Sequence, residues 1–138
     1  MFIEEADGWK YEGEWLKDKQ IREGYGICVN MDGDVLYEGY WRGDKRHNKG
    51  REYWASVGTY EGEFKDNRKH GNGEYFYSNG DHFIGKMDQD TRHGSGTYEY
   101  ANGAVYKGDF HRGKRHGKGI YQYANGTIYE GDWVDGKR

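Results

Sequence analysis

The sequence contains no proline and one cysteine, Cys28, among its 138 residues. A single cysteine excludes an intramolecular disulfide, and sparse cysteine is typical of proteins in a reducing compartment. No stretch approaches the ~20 apolar residues that a membrane-spanning helix needs, and residues 1–8 lack the charged and apolar regions of a secretory signal. We therefore expect an intracellular, cytoplasmic protein.

Aliphatic residues are also scarce, because all hydrophobic residues together make up 33% of the chain. A compact domain of this length normally needs more branched aliphatic side chains for its core. Aromatic residues are abundant instead, with 14 Tyr, 5 Trp and 5 Phe, whereas disordered segments contain few aromatics. The composition therefore predicts an ordered protein whose core consists of aromatic rings.

Charge of one sign does not dominate, since the net charge is −3. Residues 1–34 carry 4 Lys/Arg against 9 Asp/Glu, whereas residues 101–138 carry 7 against 4. This distribution lacks the uniformly basic face that nucleic acid requires, so we expect no nucleic-acid partner. The opposite charges of the two ends leave open a homo-oligomer formed by end-to-end or groove contacts.

A five-residue motif, YxGx(W/F), recurs along almost the whole chain. Its copies start 26 residues apart once and then 23 residues apart four times. The copies are YEGEW at 11–15, YEGYW at 37–41, YEGEF at 60–64, FIGKM at 83–87, YKGDF at 106–110 and YEGDW at 129–133. A fixed period of this length indicates a repeat architecture, in which function comes from surface accumulated over the copies.

Each copy has the pattern of a β-hairpin. In residues 117–133, rings and glycines alternate with polar residues on both sides of Asn125-Gly126, a dipeptide that favours a type I′ turn. Equivalent turns fall at Asp7-Gly8, Asp32-Gly33, Val57-Gly58, Asn79-Gly80 and Asn102-Gly103. The predicted hairpins cover about 2–15, 26–41, 50–64, 73–87, 96–110 and 119–133, with polar connectors such as 65–73 and 111–119 between them. The pattern predicts an all-β fold: one array over residues 1–138, forming a single elongated, twisted antiparallel meander.

Glycine recurs at the position expected to begin each new strand, as at Gly50 and Gly73. Together with the central glycine of the motif, it lets a ring from a neighbouring strand lie flat on the backbone. No second layer is encoded, so we expect a groove of half-covered rings that holds a helix or an extended peptide of a partner protein. The candidate groove residues are Tyr37, Trp41, Tyr60, Phe64, Tyr75, Phe83, Tyr98, Tyr106, Phe110 and Tyr121.

The basic residues of the connectors support two interpretations. As a stripe they would attract anionic lipid headgroups at about 1 kcal/mol each. As solvated turns they would pair across strands with Glu12, Glu61, Glu63 or Glu130, at ~0.2–1 kcal/mol per pair. The candidate lipid contacts are Lys45, Arg46, Arg68, Lys69, Lys114, Arg115 and Lys118.

Histidine also recurs at the repeat interval, at His47, His70, His93 and His116. Successive copies lie two strands apart, ~9.6 Å, whereas zinc ligands must reach within ~2.1 Å of one ion. We therefore expect no metal, and His111 is predicted to be isolated. Glycine-rich segments such as 71–73 have no helix behind them to bind a phosphate, so no cofactor is expected. The carboxylates lie on the solvent face and no nucleophile stands out, which predicts a protein that is not an enzyme.

The motif YEGxW, followed by GKRHGKG, a β segment and Asn-Gly every 23 residues, resembles the MORN repeat (membrane occupation and recognition nexus). The resemblance covers nearly the whole chain; Phe83, Met87 and Asn48 depart from the usual residues. Such repeats occur in junctional membrane proteins, phosphoinositide kinases, ciliary radial-spoke heads and protist cytoskeletal structures. The resemblance implies a non-catalytic interaction scaffold in a cytoskeletal or ciliary (axonemal, radial-spoke-like) assembly. The alternative is a peripheral membrane module that binds anionic phospholipids.

Overall fold

The computed structural model of the protein describes residues 3–4, 10–16, 21–54 and 56–138. Within these residues the chain forms one twelve-stranded sheet, in which each strand pairs antiparallel with the next along the sequence. The strands are β1 (Ile3–Glu4), β2 (Lys10–Leu16), β3 (Ile21–Val29), β4 (Val35–Arg42), β5 (Lys45–Trp54), β6 (Gly58–Lys65), β7 (Arg68–Tyr77), β8 (His82–Asp88), β9 (Thr91–Glu99), β10 (Val105–His111), β11 (Lys114–Gln122) and β12 (Ile128–Trp133). The predicted all-β antiparallel meander is confirmed.

The alternation of side chains along each strand places the aromatic residues on one side of the sheet, which we call the ring face. The strand register aligns them in a row that crosses β2 to β12. This row contains Tyr11, Cys28, Tyr37, Glu52, Tyr60, Tyr75, Phe83, Tyr98, Tyr106, Tyr121 and Tyr129. The hydrophobic core lies on this face, because Tyr11, Tyr60, Phe83 and Tyr106 are fully buried.

A second row, the glycine row, lies on the same face, two residues away from the first row on each strand. In this row glycine pairs with glycine across the sheet. It consists of Gly13, Gly26, Gly39, Gly50, Gly62, Gly73, Gly85, Gly96, Gly108, Gly119 and Gly131. A Cβ atom on Gly50 would overlap the ring of Tyr37, and one on Gly73 would overlap the ring of Tyr60. The prediction that glycine lets a ring lie on bare backbone is confirmed.

The predicted connectors are mostly strand, so their assignment from the sequence was wrong. Strand β7 begins at Arg68 and β11 at Lys114, which puts the glycines of the second row in the middle of strands. A two-residue turn suffices between β6 and β7 because Asp66 and Asn67 both adopt positive φ, 49° and 71°. These angles are those of a type I′ turn, which matches the twist of paired strands.

The Asn-Gly dipeptides form a different turn from the predicted type I′. At Asn102-Gly103 only the glycine has positive φ, 95°. The N–H of Gly103 donates to the carbonyl of Tyr100 at 3.0 Å, and the N–H of Tyr100 donates to the carbonyl of Ala104 at 2.8 Å. This is the three-residue hairpin loop with a left-handed glycine, and the Asn102 side chain favours it by accepting the Ala104 N–H at 2.9 Å. The predicted turn at Asp7-Gly8 lies outside the described residues.

Candidate interaction surfaces

Most of the predicted groove residues are buried, which corrects the expectation of half-covered rings. Nine of the ten are 8% exposed or less, and only Tyr121 is half-buried. The rings cover one another by edge-to-face packing: Tyr37 and Phe64 have centroids 5.3 Å apart at 88°. Such pairs add about 0.5–1.5 kcal/mol beyond area burial. A single layer of rings is therefore able to bury itself.

A row of basic side chains lies over these rings and contributes to their burial. We call it the cation row; it consists of Arg22, Arg46, Lys69, Arg92 and Arg115, one near the start of each of the strands β3, β5, β7, β9 and β11. Arg22 Cζ lies 4.4 Å from the centre of the Trp41 ring, and Arg115 Cζ lies 4.5 Å from that of Trp133. These distances are those of cation–π contacts.

The cation row also joins successive repeats. A guanidinium nitrogen of Arg92 donates to the carbonyl of Gly113 at 2.7 Å, one turn further along the chain, and Arg115 donates to the carbonyl of Gly136 at 2.8 Å. The backbone of the turn also forms a hydrogen bond with the backbone of the cation row, since the N–H of Gly113 donates to the Arg92 carbonyl at 2.8 Å. Each cation therefore fixes the next turn in place.

This arrangement divides the seven candidate lipid contacts into two groups. Arg46, Lys69 and Arg115 belong to the cation row, so their charged groups pack on rings of the ring face. The other four are exposed: Lys45, Arg68, Lys114 and Lys118. Lys118 Nζ lies 2.5 Å from Asp132 on the opposite face. The predicted stripe is therefore not one continuous surface, because alternation along the strand sends neighbouring bases to opposite faces.

The accessible rings of the ring face include a row outside the predicted groove residues. We call this the outer ring row: Trp54, Tyr77, Tyr100 and Tyr123, each two residues beyond the buried position of its strand. The three tyrosines are half-buried. Tyr75 and Tyr77 stack at 4.3 Å and 10°, and Tyr98 and Tyr100 lie 4.6 Å apart. The Tyr-x-Tyr spacing at 75–77, 98–100 and 121–123 was the signal that could have identified this row.

Strand β5 carries an acid, Glu52, where β7 and β9 carry the buried Tyr75 and Tyr98 and β11 carries the half-buried Tyr121. Glu52 is 4% exposed, and its carboxylate contacts Arg46, the Trp54 indole N–H and, at 3.1 Å, Lys69 Nζ. A buried carboxylate is tolerated when it is paired and hydrogen-bonded in this way. The single carboxylate thus pairs with two members of the cation row at this point of the ring face.

The hydroxyl groups of the buried tyrosines are also bonded within the protein. Tyr60 Oη donates to the carbonyl of Glu63 at 3.0 Å, and Tyr98 Oη donates to Asp81 Oδ2 at 2.7 Å. Burial raises the pKa of Tyr11 and of Tyr75 to about 12, so these phenols are neutral at physiological pH. Burial alone would raise the pKa of Asp81, but hydrogen bonds from Tyr98, Ala101 and Asn79 hold it below its usual value.

The opposite face of the sheet carries cross-strand ion pairs together with exposed apolar side chains, among them Tyr25, Tyr40, Phe76 and Ile84. Arg51 lies 2.8 Å from Glu61 and 3.9 Å from Glu38. A shallow depression of about 610 Å³ lies over Gly39, Gly50 and Gly62, between these charges. Exposed pairs of this kind stabilise by ~1 kcal/mol at most.

Three histidines come together on the opposite face, contrary to the prediction that His111 is isolated. The His111 ring lies 4.9 Å from that of His93 and 5.2 Å from that of His116. The prediction compared successive repeats, whereas these residues sit on the adjacent strands β9, β10 and β11. In the part of the chain that the structure describes, no group of three or more His, Cys, Asp or Glu residues has a geometry that could hold a metal ion.

Comparison with known families agrees with this architecture. Within the described residues, no helix has the length and apolar composition needed to span a membrane. The chain has no match among curated proteins. The family model for the MORN repeat matches residues 11–35, 37–56, 60–82, 83–105, 106–128 and 129–138. With six matches from residue 11 to residue 138, the chain belongs to the MORN repeat family.

Proposed function

We propose that this protein is a non-catalytic scaffold that holds a helix or peptide of a partner protein along the outer ring row. MORN repeats are in general modules for protein or membrane interaction. The observation that carries the proposal is that Trp54 is exposed and Tyr77, Tyr100 and Tyr123 are half-buried on a face whose inner rings are sealed. Tyr and Trp are preferred anchors at protein interfaces because they bury a large area at low entropic cost.

The spacing of the outer ring row suits an α-helical partner. Equivalent residues of successive repeats are two strands apart, ~9.6 Å. Seven residues of an α-helix advance ~10.5 Å, so apolar side chains at i and i+7 would meet successive rings. Tyr77 to Tyr123 spans two such steps, which corresponds to about four turns of helix. A basic residue flanks one of these rings, since Arg138 Cζ lies 5.6 Å from the centre of the Tyr123 ring, so acidic residues beside the apolar ones would add complementary charge.

Site-specific photo-crosslinking tests the proposal. Benzoylphenylalanine in place of Tyr100 or Tyr123 should crosslink to one recurring protein in cell extracts. The matched controls are Phe76 and Ile120, which are exposed on the opposite face, and the same probe there should capture that protein far less. Equal capture from both faces, or capture only from the opposite face, contradicts the proposal.

We also propose that the scaffold acts inside the cell, in a cytoskeletal or ciliary assembly. This part rests on the resemblance to scaffolds of such assemblies and on the single cysteine. The tagged full chain should sediment with the detergent-insoluble cytoskeleton and colocalise with tubulin or axonemal structures. Uniform distribution in the soluble fraction contradicts it.

A second candidate function is attachment to anionic membranes. Lys45, Arg68 and Lys114 are exposed at equivalent positions, the first residue of β5, β7 and β11, and so lie on one side of the sheet. Vesicles of phosphatidylcholine with phosphatidylserine should then sediment the protein at low salt and release it at high salt. Changing these three residues to Gln should abolish sedimentation, whereas Lys118→Gln should not. Absence of sedimentation at low salt contradicts this candidate.

A further inference from the structure

A pocket lies on the ring face at strands β3, β4 and β5. Its volume is about 510 Å³, within the range of about 300–1,000 Å³ that is typical of ligand sites. Tyr37, Trp41 and Cys28 form buried parts of its wall, Arg46 and Glu52 lie on one side, and Trp54 closes another. Trp54 also belongs to the outer ring row, so the pocket adjoins the surface assigned to the partner.

The pocket exists because two rings of the repeat pattern are missing. Each member of the cation row is followed, six residues later, by a buried or half-buried side chain of the ring face. In later repeats that side chain is Tyr75, Tyr98 or Tyr121, whereas it is Cys28 after Arg22 and Glu52 after Arg46. Both smaller residues flank Tyr37 in the sheet. The protein's own tyrosines therefore show which group fits this environment.

The surroundings of those tyrosines indicate which chemical group would fit the pocket. Arg92 Cζ lies 4.9 Å from the Tyr98 ring, and Tyr98 Oη donates to a carboxylate of Asp81 at 2.7 Å. The pocket offers a cation of the same row, Arg46, and a carboxylate, Asp44, which is 45% exposed and lies in the turn between β4 and β5 rather than at the position of Asp81. Its charges are already paired, since Arg22 Nε donates to Asp44 at 2.9 Å and Arg46 contacts Glu52. A neutral ring therefore fits better than an anion or a cation, which would disrupt these pairs.

We propose that this pocket binds one neutral aromatic side chain, a tyrosine or a phenylalanine, from the partner segment that lies on the ring face. The inference rests on the proposed scaffold function and specifies where the partner is anchored. The guest ring packs against Trp41 and Trp54 and takes the place that a buried tyrosine has in later repeats.

The test uses N-acetyl-L-tyrosinamide as the probe and the indole N–H signals of the full chain as the readout. Titration should shift the signals of Trp41 and Trp54 saturably and leave Trp133, at the other end of the sheet, unchanged. N-acetyl-L-leucinamide should produce no saturable shift, and N-acetyl-L-phosphotyrosinamide should bind at least tenfold more weakly than the neutral probe.

A pocket-filling variant supplies the matched comparison. Glu52→Tyr inserts the residue of later repeats and should abolish the shifts, whereas Glu61→Tyr makes the same change on the opposite face and should retain them. Cys28→Tyr fills the other missing position and should act like Glu52→Tyr if the latter fails to fold. The inference is overturned by absence of saturable shifts, by persistence of the shifts in a folded filled variant, by equal binding of leucinamide, or by tighter binding of the phosphorylated probe.

The two proposals fail in different ways. If the probe does not bind but benzoylphenylalanine at Tyr100 still selects a partner, the pocket inference falls and the scaffold function stands. If the probe binds as described but crosslinking does not distinguish the two faces, the pocket stands and the scaffold proposal falls.

Discussion

Replacement of one glycine in the glycine row should show how the ring layer is held. A Cβ atom at Gly73 would lie 2.6 Å from Tyr60 Cζ, far inside an ordinary contact, and closer still to Oη and Cε2. Tyr60 is fully buried and cannot move outward without disturbing Phe64, 5.2 Å away, and Tyr75, 5.7 Å away. Its hydrogen bond to the carbonyl of Glu63 would also be lost.

The magnitude follows from these contacts. Overpacking a tight core costs about 1–3 kcal/mol, and loss of a buried hydrogen bond adds about 0.5–1.5 kcal/mol. Gly73→Ala should therefore lower the free energy of unfolding by about 2–4 kcal/mol. Urea denaturation followed by tryptophan fluorescence measures this change.

A double-mutant cycle separates the steric cause from a general cost of alanine in a strand. In a Tyr60→Ala background the ring is gone, so Gly73→Ala should cost less than about 1 kcal/mol. An equal cost in both backgrounds, or a cost within about 0.5 kcal/mol in the natural chain, would refute the account of rings packed on bare backbone.

Three further predictions concern charge and protonation. Arg92→Met should lower stability by about 1–3 kcal/mol through loss of its cation–π contacts and its bond to Gly113, whereas the exposed Lys114→Met should change it by less than about 0.5 kcal/mol; urea midpoints that do not differ contradict this. Burial holds the pKa of Tyr11 and Tyr75 at about 12, above the ordinary value of 10.0. Above pH 10 the unfolded chain therefore loses these protons first, so the urea midpoint should fall between pH 10 and 12, and a rise would contradict the assignment. The opposite charges of the two ends predict head-to-tail self-association at low salt; light scattering that gives one monomer mass at low and high salt dismisses it.

The strands, their order and the role of glycine could be predicted from the sequence because they depend on local patterns. The alternation around Tyr60 and Gly62 determines which side chains share a face, and the fixed period forces successive copies to pair in the same way. These features need no knowledge of contacts between distant residues.

The position of the accessible rings could not be predicted in the same way. The sequence shows that Tyr75 and Tyr77 share a face, but not that Tyr75 is covered by Lys69, whose Nζ lies 5.7 Å from its ring. That contact depends on an irregularity in the pairing of β6 and β7, between Gly62 and Phe64, which aligns Lys69 with Phe64. The alternation of side chains does not reveal this irregularity. The sequence therefore places the groove at Tyr75 and Tyr98, whereas the accessible rings are Tyr77 and Tyr100.

Which of the basic residues are exposed could not be predicted from the sequence, for a similar reason. Lys45 and Arg46 are adjacent and equally charged, yet Lys45 is exposed while Arg46 lies 5.4 Å from the Phe64 ring. A connector in an irregular conformation would have exposed both. Because the tight turn at Gly43-Asp44 lets β5 begin at Lys45, the strand alternation separates them.

Chemical modification of tyrosine tests the division between sealed and accessible rings most directly. Treatment of the native protein with tetranitromethane, followed by peptide mass spectrometry, should nitrate Tyr100 and Tyr123 while Tyr60 and Tyr106 remain unmodified until the protein unfolds. Nitration of Tyr60 and Tyr106 at the same rate as Tyr100 would contradict the account, because it would mean that the inner rings are open to solvent.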